Sequence, residues 1–542
     1  MLLSLVAADL ASAATGDLIR AVKRRDRPAV QALLKQGANV NETLPDGATA
    51  LHYAALENEL TIAEALVKAG ANAKVINQLG MTPLHLACLN GSATMAELLL
   101  KAGADPNGGV PGRETPVMTA ARVGVPVVMK LLLAHGGNPN ATESLRGQTA
   151  AMWAAAQKHP ETLQLLIETG ADVQARTRMP PARRQPGMQP AANAGNVNAV
   201  NPDERLAGGS NAYTPLLFAA RVGDIESARL LIKAGAKVND VDALGLSPLV
   251  LSTVRGFSEF ATFLLDQGAD PNLDDTGFTA LHWAAGTWES ELTVRAITTE
   301  REDGEWYTVA GLKEGKLALV SALLKHGADP NAKMWKSPER AGSSKNPQLS
   351  ELGGATPLIL AAMAGNAEVM KTLVAGGADP DIKTWSDGTV LMAAAGLGHV
   401  QGEDLVTEVH ARGAAEAALA MGNSVTDVDA AGNTPLHYAS YMRHDSVVQL
   451  LVDRGAPLNA KNKFGETPLW TSALVVQFAG GGTYQLIPST ATDILKKAGA
   501  TQGEPLYARA RPTDWPDNAR SAADQVADPD KNRAERAASG PK

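Results

Sequence analysis

The stretch from Gly80 to Gly91, GMTPLHLACLNG, places a histidine three residues before the single cysteine of the chain. On a helix, positions i and i+3 share a face, so the imidazole of His85 and the thiol of Cys88 would be neighbours. Such a pair is the raw material of a cysteine nucleophile or of half a metal site. Which interpretation holds depends on the elements that position these two side chains.

Those elements belong to an internal repeat. A tetrad of the form Thr-Pro/Ala-Leu-His, or a close variant of it, recurs mostly at intervals of 32–34 residues. The tetrads begin at Thr49, Thr82, Thr115, Thr149, Thr214, Ser247, Thr279, Thr356, Thr389, Thr434 and Thr467. The longer intervals are this period plus an insertion. A fixed period of this length indicates a repeat architecture, which also explains how 542 residues fold without one very large core.

Each repeat reads as two short helices. Threonine is a good N-cap and proline suits the first helical turn, so the tetrad predicts a helix start. A second, leucine-rich segment ends at a glycine, the preferred residue just beyond a helix C-terminus. These glycines are Gly37, Gly70, Gly103, Gly136, Gly170, Gly235, Gly268, Gly327, Gly377, Gly422 and Gly455.

TPLH, a central Ala-Ala pair, a leucine-rich segment, GAD and a following Asn together resemble the ankyrin repeat over about residues 14–501. The resemblance implies an all-α ankyrin-repeat solenoid of about eleven to twelve helix-turn-helix units, with short hairpin fingers and three insertions. In style it is closest to the ankyrin arrays of exported bacterial proteins. The family also implies that a partner lies in a concave groove between the first helices and the fingers.

The departures from the period predict the domain organisation. A capping repeat at 14–45 lacks the tetrad, and the tail at 506–542 has few apolar residues and is predicted to be disordered. Insertions are placed on loops in repeat proteins. The remaining predicted segments are repeats at 46–176, a flexible Pro/Gly-rich loop at 177–211, and repeats at 212–501 with insertions at 287–313 and 333–353.

The first residues predict export. LLSLVAADLASAA is a short apolar run that ends in small residues with Ala11-Ser12-Ala13 in an A-x-A arrangement, although it lacks a basic n-region. We interpret residues 1–13 as a signal-peptide remnant and expect a periplasmic or secreted protein. The alternative is an apolar start to the first helix of a cytoplasmic protein. No later apolar run reaches the roughly 20 residues of a membrane span.

The repeat argues against chemistry at the histidines. His52, His85, His282 and His437 all occupy the fourth tetrad position, where other repeats place Met118 or Leu217. The resemblance implies a structural, hydrogen-bonded histidine there. Cys88 occupies a slot that is alanine in other repeats, so it reads as a small core residue. No metal-ligand, phosphate-loop or nucleophile motif is present, so we predict no enzyme activity, cofactor or metal.

Binding is the remaining function, and its candidates are aromatic. The residue after the tetrad is aromatic in five repeats, in a chain with only 4% aromatic residues. These residues are Tyr53, Trp153, Phe218, Trp283 and Tyr438. In the family this position tends to face the groove, where aromatic side chains act as interface hot spots. The alternative is that the rings pack against neighbouring first helices, and both roles are compatible in one ring.

Arginines are the second set of candidates. Arg122, Arg221 and Arg255 lie near the ends of three first helices, in matching or adjacent slots. Arginine is enriched at interfaces, but a solvated helix end is the alternative. The net charge of −8 carries no general basic footprint for nucleic acid, so the predicted partner is a protein.

The leading hypothesis is therefore a non-enzymatic protein-binding scaffold. The alternative is a small-molecule or enzymatic site formed by the insertion at 287–313, which contains Trp288, Trp306 and Tyr307. A third possibility is a structural envelope protein or a secreted, host-directed protein. The sequence does not identify the partner or the oligomeric state.

Overall fold

The computed structural model describes residues 16–178, 212–243, 245–286, 316–335, 352–399, 406–477, 484–487 and 489–501. The chain divides into two compact units, Met1–Leu244 and Gly245–Lys542. In each unit the described residues form consecutive pairs of short helices. A first helix packs against the second helix of its own repeat and against the first helix of the next repeat.

Unit 1 contains six helix pairs within its described residues. The first helices are Asp17–Lys23, Ala50–Leu56, Pro83–Leu89, Pro116–Val123, Ala150–Ala156 and Pro215–Val222. The second helices are Arg27–Lys35, Leu60–Lys68, Ala93–Lys101, Pro126–Ala134, Pro160–Glu168 and Ile225–Lys233. The first pair lacks the tetrad, and its Arg24 and Arg25 are exposed.

Unit 2 likewise shows six pairs among its described residues. The first helices are Pro248–Val254, Ala280–Ala285, Pro357–Met363, Val390–Ala395, Pro435–Met442 and Pro468–Thr471. The second helices are Ser258–Asp266, Lys316–Lys325, Ala367–Ala375, Glu408–Ala420, Asp445–Asp453 and Thr490–Lys497. The last repeat also contains two antiparallel strands, Leu474–Gln477 and Tyr484–Ile487, which the all-α prediction did not include.

The helix ends are set by the residues that the period singled out. The first residue of every tetrad is an N-cap in extended conformation, as at Thr82, whose hydroxyl accepts a hydrogen bond from the backbone N–H of His85. Every repeat glycine has φ between +80° and +99°, as at Gly103. Glycine reaches this region without a Cβ penalty, and this stops the second helix. Small residues such as Ala54 and Ala87 are fully buried between the helices.

A tight turn, here called a finger, precedes each first helix that begins with the tetrad. Most neighbouring fingers within a unit are joined by backbone hydrogen bonds, and the fingers of Leu79 and Val110 are joined instead by the Arg113 side chain, which donates to the carbonyl of Leu79. In unit 1, the N–H of Ser144 donates to the carbonyl of Gly112 over 2.7 Å, and the N–H of Gln78 donates to that of Asp46 over 2.8 Å. In unit 2, the N–H of Lys463 donates to the carbonyl of Ala431 over 2.8 Å. The fingers therefore form a hydrogen-bonded row that holds their tips in register.

Asparagine side chains make a second row of ties, near the ends of the second helices. Asn107 donates from Nδ2 to the carbonyl of Gly136 over 2.9 Å and accepts from the N–H of Asn138 over 2.7 Å. Asn272 makes the same pair of bonds in unit 2, to Gly327 and Asp329. Each asparagine thus satisfies the open carbonyl at one helix end and joins two consecutive repeats.

Two of the predicted insertions fall within fingers, and in both fingers backbone hydrogen bonds join the residues on the two sides of the insertion. The N–H of Thr177 donates to the carbonyl of Tyr213 over 3.0 Å, which joins the chain on the two sides of residues 179–211. In the same way the N–H of Met334 donates to Ala355 over 3.0 Å and that of Gly354 donates to Met334 over 2.9 Å. Most of the insertions at 177–211 and 333–353, and all of that at 287–313, lie outside the described residues.

The predicted signal-peptide remnant at 1–13 and the predicted tail at 506–542 also lie outside the described residues. Within the part of the chain that is described, no helix is long and apolar enough to cross a bilayer.

Candidate partner-binding face

The pair that suggested chemistry has a structural role. Cys88 is buried, and burial raises the pKa of its thiol, which suppresses the thiolate needed for nucleophilic attack. Both ring nitrogens of His85 form hydrogen bonds with backbone groups and not with the thiol. Its Nδ1 accepts from the backbone N–H of Thr82 over 3.0 Å, and its Nε2 lies 2.9 Å from the carbonyl oxygen of Glu114. Because Nδ1 is the acceptor, Nε2 carries the proton and donates to that carbonyl.

The same arrangement recurs at His52, His282 and His437. Each Nδ1 lies 3.0–3.1 Å from the backbone nitrogen of its tetrad threonine, and each Nε2 bonds a carbonyl in the next repeat. Burial lowers the pKa of His85 and of these three imidazoles, which therefore stay neutral at pH 7. The histidines tie repeats together, as the resemblance implied.

The first helices and the fingers share one face of each unit. In unit 1, the Tyr53 hydroxyl reaches the Asp46 carboxylate of its own finger, 3.4 Å away, so the position after the tetrad points toward the fingers. The residue three positions later lies on the same helical face. We call these two columns and the fingers of unit 1 the first-helix face. Its second column is Leu56, Leu89, Arg122, Ala156 and Arg221.

Three of the five predicted aromatic residues offer little surface. Phe218, Trp283 and Tyr438 are only 4%, 8% and 8% exposed. Phe218 meets Tyr213 edge to face with ring centroids 5.6 Å apart, and Trp283 meets Phe278 in the same way at 5.8 Å. The Tyr438 hydroxyl donates to the Asp429 carboxylate over 2.5 Å. In each case the ring fastens a first helix to its own finger, which is the packing role that the sequence left open.

The other two aromatic residues are half-buried. Tyr53 carries the Lys23 ammonium 4.1 Å from its ring centroid. Trp153 has a partly exposed ring, and its buried indole Nε1 has no hydrogen-bond partner among the described residues. Both rings lie in unit 1, and each can add contact area to the first-helix face.

The arginines are held by neighbours. Arg122 donates from Nε and Nη2 to one oxygen of Glu114, over 3.2 and 3.1 Å. The guanidinium carbon of Arg221 lies 5.1 Å from the ring centroid of Phe218, in cation–π range. Arg255 lies in unit 2 and caps its helix one residue later than the matching slot. Arg122 and Arg221 therefore belong to the first-helix face, and Arg255 does not.

Sequence reasoning missed the exposed apolar residues of this face. Leu79 and Leu145, on two finger tips, are 71% and 58% exposed, and Val110 on the finger between them is also exposed. Leu56 and Leu89, at the ends of two first helices, are exposed as well. The sequence signal that could have found the finger residues is a large apolar residue within a short polar turn. Large exposed apolar side chains that cluster on one side indicate an interaction surface.

No group of three or more His, Cys, Asp or Glu residues with metal-binding geometry occurs in the described part of the chain. Lys316 is buried and donates from Nζ to the carbonyl of Gly286, and burial lowers its pKa to about 8. The insertion on which the alternative ligand site depended, residues 287–313, lies outside the described residues.

Comparison with known proteins agrees with the repeat geometry. The family profile described as ankyrin repeats in three copies matches residues 18–110, 109–177, 190–275 and 216–305, and the single ankyrin-repeat profile matches 353–385 and 431–463. The chain is similar to human Rabankyrin-5, with 30% identity over 257 residues, 44% of this chain and 22% of that protein.

In two further relatives the match covers a smaller part of the relative. The ankyrin repeat protein nuc-2 of Neurospora crassa is 32% identical over 220 residues, 36% of this chain and 18% of that protein. The E3 ubiquitin-protein ligase KEG of Arabidopsis thaliana is 27% identical over 322 residues, 56% of this chain and 18% of that protein. This chain therefore aligns with about a fifth of each of these three relatives, and none of the three is bacterial.

Among solved structures, the chain is similar to the human ASB11 ankyrin repeat domain. The two are 26% identical, the match covers 47% of this chain and 98% of that chain, and the TM-score is 0.37. Ankyrin repeats generally serve as non-enzymatic modules for protein–protein interaction. From the period, the capped helix pairs, the histidine and asparagine ties and the matching family profiles, this chain belongs to the ankyrin-repeat family.

Proposed function

We propose that this protein is a non-enzymatic scaffold that binds a partner protein on the first-helix face of unit 1. The observation that carries the proposal is the row of exposed apolar tips on hydrogen-bonded fingers, with Leu79 and Leu145 as its most exposed members. Finger-to-finger hydrogen bonds hold these side chains before a partner arrives, which reduces the ordering cost of binding.

The aromatic and arginine candidates contribute unequally to this proposal. Tyr53, Trp153, Arg122 and Arg221 lie on the face and are partly accessible. Phe218 is buried, and its ring contacts the guanidinium of Arg221. Trp283, Tyr438 and Arg255 belong to unit 2, where the same two aromatic residues are packed against their fingers. We therefore centre the interaction on unit 1.

The test uses the full chain in its native host. A photo-crosslinking residue is introduced at position 145, and crosslinked partners are identified by mass spectrometry in the wild-type background and in a Leu79→Ser/Leu56→Ser background. We expect a specific crosslinked protein that is lost in the double variant. The matched control is Val127→Ser, at an apolar residue near the start of a second helix whose exposure of 59% lies between those of Leu56 and Leu79. An identical crosslinking pattern in all three backgrounds would refute the assignment.

A further inference from the structure

Neighbouring connectors of unit 1 are tied at two points. A connector is here the chain that runs from one second helix to the next first helix and contains a finger, and the first four connectors are residues 37–48, 70–81, 103–114 and 136–148. The first and second connectors are joined by the finger bond that the N–H of Gln78 donates and by the side chain of Asn41. The third and fourth are joined in the same way, by the N–H of Ser144 and by the side chain of Asn107. Both pairs are therefore fixed at the finger and also near the end of the second helix.

The second and third connectors lack both of these ties. Pro111 stands where the neighbouring fingers place the donor, and Lys74 stands where the neighbouring connectors place the asparagine. Proline has no N–H, and a lysine side chain offers no acceptor oxygen. Within the continuously described residues 16–178, a single hydrogen bond joins these two connectors, from Nη1 of the exposed Arg113 to the carbonyl of Leu79 over 3.3 Å. This bond is long and depends on a flexible side chain, so it restrains the connectors weakly.

The first helices at the same junction remain firmly joined. Asn90 donates from Nδ2 to the carbonyls of Ala55 and Leu56, over 3.0 and 2.6 Å, and so fastens the ends of two consecutive first helices to each other. Ala54 and Ala87 are fully buried between these helices. The junction is thus held at its first helices and weakly restrained at its connectors, which is the arrangement of a hinge.

Exposed apolar residues of the first-helix face lie on both sides of this junction. Leu56 and Leu79 belong to the helix and the connector before it, and Leu89 and Val110 belong to those after it. Opening of the connectors would separate Leu79 from Val110 more than Leu56 from Leu89, because the Asn90 tie lies beside the second pair. A partner that covers all four side chains at once therefore fits only one arrangement of the hinge.

We propose that the junction between the second and third connectors is a hinge, and that a partner bound across it holds the two connectors together in the closed arrangement. The inference rests on the proposed function and adds the regulation of the same face to it. If only the closed arrangement binds, the apparent affinity is reduced by the fraction of molecules that are closed. Fixing the hinge in advance should then tighten binding, and binding should fix the hinge.

The first test examines the hinge without a partner, in the full-length chain. The variant Lys74→Asn/Pro111→Ser, here called the tied variant, supplies both ties with the residue types that the next junction uses. The reverse exchange at that next junction is Asn107→Lys/Ser144→Pro, here called the untied variant. Unfolding midpoints establish that each variant is folded.

Pulsed electron paramagnetic resonance compares the two junctions in a Cys88→Ala background. Spin labels at Lys35→Cys/Lys101→Cys span the hinge, and labels at Lys101→Cys/Glu168→Cys span only tied junctions. All three positions are exposed and end second helices, and each pair is roughly 20 Å apart. We expect a broader distance distribution across the hinge, which narrows in the tied variant, and a broadened control pair in the untied variant. Equal widths for the two pairs in the otherwise unchanged chain would overturn the hinge.

The second test measures the coupling to binding. A peptide is selected from a random display library on the full-length chain for binding that is lost in Leu56→Ser/Leu79→Ser, and its Kd is measured by fluorescence anisotropy. We expect it to bind the tied variant at least about threefold more tightly than the unchanged chain, which corresponds to a hinge that is closed about a third of the time or less. Lys130→Asn/Pro126→Ser, the same two exchanges within a second helix, should leave the Kd unchanged.

The outcomes separate this inference from the proposed function. A peptide that requires Leu56 and Leu79 but binds the tied variant and the unchanged chain equally would overturn the regulation and leave the proposed function in place. Weaker binding to the tied variant would show that the partner prefers the open hinge, against the inference. A library without any peptide that depends on these leucines would refute the proposed function and the coupling together, while the spin-label distances still decide on the hinge itself.

Discussion

The imidazole of His282 hydrogen-bonds the carbonyl oxygen of Ala355, which is 3.3 Å away and 73 residues further along the chain. The equivalent histidine His85 reaches a carbonyl only 29 residues further on, at Glu114. Two inserted segments lie between His282 and Ala355, yet the contact between the neighbouring repeats is the same. The packing of neighbouring repeats therefore continues across the positions of both insertions.

This relationship predicts an acid-sensitive stability in unit 2. Burial lowers the pKa of His282 from 6.5 to about 4. Between these values the unfolded chain binds a proton that the native chain does not, so the free energy of unfolding falls as pH is lowered through this window. The full effect at this site is about 3 kcal/mol. Urea unfolding monitored by circular dichroism at pH 7.5, 6 and 5 measures it.

A substitution separates His282 from other titrating groups. His282→Met places at this position the residue that Met392 supplies in another repeat. We expect lower stability at pH 7.5, because the bond to Ala355 is lost, together with a shallower decline in acid. His135→Gln, at an exposed histidine in unit 1, should change neither quantity. An unchanged acid decline in the His282 variant would contradict the assignment.

The asparagine ties predict a stability cost far larger than ordinary surface substitutions give. Asn107→Ala removes two bonds at once and leaves the carbonyl of Gly136 and the N–H of Asn138 without their partner. We expect a loss of about 1–3 kcal/mol in the free energy of unfolding. Gln164→Ala, which removes only a bond to Glu168 on the exposed side of one helix, should cost less than about 0.5 kcal/mol. Equal costs would show that the ties contribute nothing special.

At Ala212 we predict a substitution that raises the stability. Its φ of +69° matches the +67° of Gly147 at the same point of the preceding finger, although alanine disfavours this region. We expect Ala212→Gly to stabilise unit 1 by about 0.5–1 kcal/mol. Ala65→Gly, in the middle of a second helix, should destabilise it by a similar amount. If both substitutions lowered the unfolding midpoint, the backbone argument would fail.

Much of the fold followed from the period because each repeat marks its own helix ends. Thr82 caps a helix and Gly103 ends one because their local chemistry leaves few alternatives. The strand pair in the last repeat was missed because Leu474–Gln477 falls outside the repeating pattern. The glycines that follow it, Gly480, Gly481 and Gly482, were interpreted as a flexible stretch and not as the turn of a hairpin.

The binding face was harder to predict because exposure depends on neighbours. The sequence singled out Phe218 and Trp283 by residue type, but Tyr213 and Phe278, on their own fingers, cover them. Leu79 and Leu145 carry no signal in the repeat pattern, and their exposure follows from their positions on the finger tips. Periodicity therefore predicted the columns, while the length and composition of each finger decided which columns stayed accessible.

Cys88 supplies the last prediction, which concerns the pair that first suggested catalysis. The thiol is buried and its raised pKa keeps it protonated, so a thiol reagent at pH 8 should label the native protein far more slowly than the urea-unfolded chain. Because other repeats place alanine here, Cys88→Ala should leave the helical circular-dichroism signal unchanged and lower stability by only about 1 kcal/mol. Rapid labelling of the native protein would instead mean that this first helix opens readily and that the thiol is available for chemistry.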